Sequence, residues 1–159
     1  MAHSTNAKSI VWHHEIDICI RLNTLNLLLR RMTLFNLSRH VYLTVTKGKA
    51  KATELTTGKS AELEMLSSTH PRSIMGGFVQ TEEVFTRIVS IVCPRKFLSI
   101  APIIYVHLID DVEGGYTDVE IRAFREAAYG AGAREVFLPK SKMPLSKQQI
   151  INREFQCWD

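Results

Sequence analysis

From Ile100 to Ile109 the chain reads IAPIIYVHLI, almost without a polar interruption. The run is too short for a membrane helix, which needs about 18 apolar residues. It is bounded by Pro94 on one side and Asp110-Asp111 on the other. An apolar run of this length and with these borders reads as a strand buried on both faces, a property of sheets covered by other layers. The segments beside it supply that cover. TEEVFTRIVSIV, before it, places Val84, Phe85, Ile88, Val89 and Val92 on one helical face; Thr81 is the expected N-cap, with Glu82 and Glu83 in the first turn. After it, Thr117-Asp118-Val119-Glu120 has the form of a capping box. The helix so opened directs Ile121, Phe124, Ala127, Ala128 and Ala131 inward and stops at Gly130 to Gly132.

Further upstream the period changes from helical to alternating. Val41, Leu43 and Val45 alternate with Tyr42 and Thr44, Lys47-Gly48-Lys49 turns, Ala50 to Leu55 returns, and Ala61 to Leu66 makes a third pass. Between the second and third passes lies ELTTGKS, whose Gly58-Lys59-Ser60 resembles the end of a phosphate-binding loop. Such a loop needs a glycine or small residue five positions before the Gly-Lys pair, and Thr53 stands there. Between two alternating segments, Gly58 instead supplies the positive φ of a hairpin turn. Arg134 to Leu138 forms one more strand, Pro139 and Pro144 interrupt the stretch after it, and a short helix is expected within Leu145 to Asp159.

The predicted order is therefore β-β-β-α-β-α-β, an α/β mixed sheet whose two helical crossovers leave their strands parallel. This order resembles the core of the ribonuclease H-like fold, which is also a lobe of the actin-like ATPases. Three segments are expected: an N-terminal extension over 1–31, the lobe over 32–139 and a tail over 140–159. Within the extension, Ile10 to Met32 mixes alternating and helical apolar spacings and closes on Arg30-Arg31, so residues 10–31 read either as a loosely attached, disordered extension or as an amphipathic segment in contact with a membrane surface or a partner.

The chain has 159 residues, 45% hydrophobic and 23% charged, with a net charge of +4, the balance of an ordinary globular domain rather than a nucleic-acid binder with a dense basic stripe. Cys19, Cys93 and Cys157 are odd in number and lack CxxC spacing, which reads as reduced thiols in a cytoplasmic protein.

Asp118 to Leu138, DVEIRAFREAAYGAGAREVFL, resembles a segment of MreB, the bacterial actin-like family that determines rod shape. Pro71 to Ile88 echoes the same family with a small shift of register, and Val45 to Lys49 is similar to its "YVKGK" hairpin. The resemblance implies an actin-like lobe, with a phosphate loop of the form Asp-Leu-Gly-Thr. Placed without gaps from Lys47-Gly48, that loop falls on Asn36, Leu37, Ser38 and Arg39, which lack both its carboxylate and its glycine. Where the family continues with an acidic pair after Leu138, this chain has Pro139-Lys140-Ser141-Lys142. The departure implies a lobe without catalytic residues, cofactor or metal, working by association with a protein partner or as a homodimer.

The remaining polar residues suggest other chemistry. Asp110 and Asp111, at the carboxyl end of the buried strand and close to Glu113, read either as an acidic strand end entering a polar loop or as candidate cation ligands, the basis of the alternative, a small nucleotide- or metal-binding enzyme. A two-metal nuclease needs a carboxylate on the first strand, which has none. His13-His14-Glu15 has no evident third ligand, His107 reads as a hydrogen-bonded core histidine, and Cys93 as an inert thiol. Lys47, Lys49, Lys51 and Lys59 suit either an anionic surface, lipid or nucleic acid, or a solvated hairpin edge guarded against aggregation.

Overall fold

A computed structural model of the chain describes residues 38–65, 73–95 and 99–158. Asn36, Leu37, Leu66, Pro71, Cys19, His13-His14-Glu15 and the 10–31 segment lie outside the described residues. The compact unit runs from Ser38 to Asp159, so the segment beyond Leu138 belongs to it.

The elements are β1 (His40–Thr46), β2 (Lys49–Glu54), β3 (Ser60–Glu64), α1 (Phe78–Val92), β4 (Ile103–Leu108), α2 (Asp118–Gly130), β5 (Glu135–Phe137) and α3 (Lys147–Asn152). They form an α/β structure on a five-stranded mixed sheet in the order β3-β2-β1-β4-β5. The β1–β2 and β2–β3 pairs are antiparallel, whereas β1–β4 and β4–β5 are parallel. The predicted order of elements is thus observed. All six residues of β4 are buried, as a central strand covered on both faces requires, although Ile100, assigned to it from the sequence, is exposed.

In the ELTTGKS stretch, Glu54 closes β2 and its carboxylate accepts the N–H groups of Thr56 (3.1 Å) and Thr57 (2.6 Å) and the Thr57 hydroxyl (2.5 Å). Burial raises the Glu54 pKa, but these hydrogen bonds outweigh it and hold the group below its ordinary range. Gly58 follows with φ 73°. The stretch is a side-chain-braced hairpin turn.

Contrary to expectation, Thr81 does not cap α1. The helix begins a turn earlier, with Gly77 in extended conformation as N-cap and no side-chain cap bond. Thr81 is fully buried and its hydroxyl donates to the Gly77 carbonyl at 2.8 Å. A threonine at the end of a first helical turn that bonds back to the i−4 carbonyl looks, in sequence, like a cap. Glu82 and Glu83 consequently lie beyond the first turn, which carries no acidic residue. The capping box of α2 forms as predicted, with Thr117 Oγ1 accepting the Glu120 N–H at 3.3 Å and Glu120 accepting the Thr117 N–H at 3.1 Å.

The pleat divides the sheet into two unlike faces. Val41, Leu43 and Val45 of β1, Ile104, Val106 and Leu108 of β4 and Ala50 and Ala52 of β2 share the first face and pack in one core with α1 and α2. Phe85 and Phe124 stack there, with ring centroids 6.3 Å apart. On the second face His40, Tyr42, Tyr105, His107 and Phe137 lie under the C-terminal segment. Ile150 of α3 is buried, and Phe155 meets Tyr105 and Phe137 edge-on at 5.9 and 6.4 Å.

Candidate functional site

The three parallel strands β1, β4 and β5 end at one edge of the sheet, and the loops leaving that edge enclose a pocket of about 200 Å³. Leu108 and Ile109 from the end of β4 form its floor, with Val112 from the adjoining loop. That loop turns on Gly114 (φ 86°) and Gly115 (φ 76°), a pair of left-handed conformations that side chains resist. The turn brings Tyr116 back over the β4 end, where its hydroxyl donates to the Asp110 carbonyl at 2.6 Å. Burial pushes the Tyr116 phenol well above its ordinary range, helped by the carboxylates of Asp110, Glu120 and Asp111. The phenol therefore stays a neutral donor.

The opposite wall comes from the C-terminal segment. Past β5, the Trp158 N–H donates to the Leu138 carbonyl at 2.9 Å and the Lys140 N–H to the Gln156 carbonyl at 2.7 Å, which pins Trp158 beside Lys140. Arg125 of α2 donates to the Trp158 carbonyl at 2.9 Å. The Trp158 ring stands edge-on to Tyr116 at 6.4 Å, and the Lys140 ammonium lies 4.5 Å from the Trp158 ring centroid.

Both candidate carboxylates reach this pocket, but each is already engaged. The Asp110 side chain accepts the Lys47 N–H and ties the β1–β2 turn to the end of β4. Asp111 pairs with Lys142 at 3.0 Å at the rim, where both side chains are about 80% exposed. Glu113 does not join them: among the described residues no group of three histidine, cysteine, aspartate or glutamate side chains is placed to hold a metal ion. A third ligand is needed for a specific cation site of this kind.

Ser38 and Arg39, the described part of the degenerate loop, precede β1 and so lie at the other end of the strands. There Arg39 donates to the Pro94 carbonyl at 2.8 Å and Arg134 to the Ser38 hydroxyl at 2.7 Å. His107 is the buried core histidine the sequence suggested. Its Nε2 meets the Ser141 carbonyl at 2.7 Å, which only accepts, so Nε2 carries the proton. Nδ1 then accepts from the Tyr42 hydroxyl at 2.5 Å, and the Tyr42 oxygen accepts the Leu145 N–H at 2.9 Å. Burial lowers the His107 pKa, and the Ser141 bond opposes it. Cys93 is buried at the C-cap of α1, and burial pushes its thiol up.

The lysines of the hairpins do not form a patch of one sign. Lys49 and Lys51 of β2 stand opposite Glu64 and Glu62 of β3, and Lys49 pairs with Glu62 at 3.1 Å. Sequence reasoning did not find Tyr116, Lys140 or Trp158 as pocket residues. The aromatic content of the tail was the available signal, but no local period ties Trp158 to the end of β4. None of the described helices is long and apolar enough to cross a membrane. No protein-family model and no curated protein matches the chain.

Proposed function

We propose that this chain is a non-catalytic lobe of ribonuclease H-like, actin-like architecture, related to the rod shape-determining MreB proteins, that acts in the cytoplasm by associating with a protein partner or with a second copy of itself. The strand order β3-β2-β1-β4-β5, with β1 flanked by an antiparallel and a parallel neighbour, supports the architecture. One observation carries the non-catalytic part. At the strand ends, where open α/β sheets do their chemistry, β1 offers no carboxylate, Asp110 accepts the Lys47 N–H and Asp111 pairs with Lys142.

The test is thermal melting with and without ATP-Mg²⁺, read beside the mass from sedimentation. The expected result is an unchanged melting temperature and a dimeric mass. A nucleotide that binds stabilises by about 2.7 kcal/mol at a hundredfold excess over its Kd, which shifts the midpoint by several degrees. Such a shift overturns the non-catalytic reading in favour of a nucleotide-binding enzyme. A monomer at high protein concentration removes self-association and leaves only a different partner.

A further inference from the structure

We propose that the strand-end pocket is a binding site for a small aromatic monocarboxylate. Its walls are apolar or aromatic: Leu108 and Val112 below, Tyr116 and Trp158 beside. Flat apolar groups are retained by such walls through burial and edge-to-face ring contact. The polar groups at the rim choose the charge. Asp110 accepts the Lys47 backbone N–H and Asp111 pairs with Lys142, so each rim carboxylate already has a partner from the chain. Lys140 differs. The described ion pairs are Lys49–Glu62 and Lys142–Asp111, which leaves Lys140 with the Trp158 ring and no carboxylate among the described residues. Among the described residues this is one ammonium with no carboxylate partner above an aromatic wall, which matches one carboxylate on one ring.

Size argues against a nucleoside triphosphate here. The pocket holds about 200 Å³, below the roughly 300–1,000 Å³ of sites for larger ligands. A ligand in this place has a second consequence. It touches the Asp110–Tyr116 loop and the C-terminal segment together, so binding braces that segment against the sheet.

The experiment uses the full chain carrying Trp12→Phe, so that Trp158 is its remaining tryptophan. Phenylacetate, phenylacetamide, phenethylamine and ATP are titrated while Trp158 emission and amide exchange are followed. The expected result is a saturable change with phenylacetate, weaker binding of the amide, weakest of the amine, and slowed exchange over 139–158. Lys140→Met is expected to weaken phenylacetate by about tenfold without changing the affinity for phenylacetamide, and Lys140→Arg to restore it. Its melting midpoint shows whether the variant has folded. No saturable response to phenylacetate, equal binding of acid and amine, or an unchanged affinity in folded Lys140→Met overturns the proposal. Displacement of phenylacetate by ATP also overturns it and assigns the pocket to a nucleotide.

Discussion

Over β1 and β4 both faces of the sheet are buried, by different physics. The first is aliphatic and covered by α1 and α2, and its contacts are dispersion and apolar burial without direction. The second presents two histidine–tyrosine pairs, His40–Tyr105 at 3.0 Å and Tyr42–His107 at 2.5 Å, under a segment held by directed hydrogen bonds and aromatic edges. The first face tolerates changes that keep volume. The second depends on each proton being in one place, because a buried donor or acceptor left without its partner costs more than the bond contributes. A dry core supplies stability; a polar face specifies where its cover sits.

The largest expected effect breaks the first face. Phe124→Ala empties a fully buried ring site against Phe85 and is expected to cost about 3–5 kcal/mol in denaturant unfolding. A loss below about 1 kcal/mol would mean that the two helices do not form one core with the sheet. Next, Tyr42→Phe keeps the ring but strips the Leu145 N–H and His107 Nδ1 of their partner. It is expected to cost roughly 2–3 kcal/mol and to speed amide exchange across 141–150 while α1 and α2 remain protected. Uniform exchange would show that the two faces do not separate.

Acid tests the second face without mutation. Burial, then the charges of Arg134 and Arg153, lower the His40 pKa to about 4, against an opposing Glu54. The unfolded chain, near the ordinary value of about 6.5, binds the proton first. Stability is therefore full above about pH 6.5 and falls as pH drops toward 4, by about 2 kcal/mol between pH 7 and pH 5 from His40 alone. The lowered His107 acts with the same sign. Denaturation midpoints measured across this window check it, and a flat profile would place His40 in contact with solvent. The smallest effect lies at the helix end: Thr117→Ala removes the capping box and is expected to cost about 1 kcal/mol, read as earlier melting with the first turn of α2 frayed.

Legibility in the sequence depended on range. The capping box of α2 involves residues three apart, so Thr117 and Glu120 disclosed it directly. The turn at Gly58 and the buried β4 were equally local readings. The start of α1 escaped because its N-cap is a glycine with no side chain to announce it, while Thr81 imitates a cap from inside the helix. The candidate site divides in the same way. Asp110 and Asp111 were placed correctly at the end of β4, but their engagement by Lys47 and Lys142 depends on contacts 63 and 31 residues distant.

The sequence by itself determined the order of the elements, the faces that α1 and α2 bury and the strand, β4, that is covered on both sides. Those properties arise from periodicity and from side chains acting on their own backbone. Only the tertiary structure decided that the C-terminal segment closes the second face. The hydrogen bond from Leu145 to Tyr42 spans 103 residues, and no local pattern selects that tyrosine over another. The pocket was decided there too. Its floor, its Tyr116 wall and its Lys140–Trp158 wall come from separate stretches, and their chemistry exists only where the parallel strands end together.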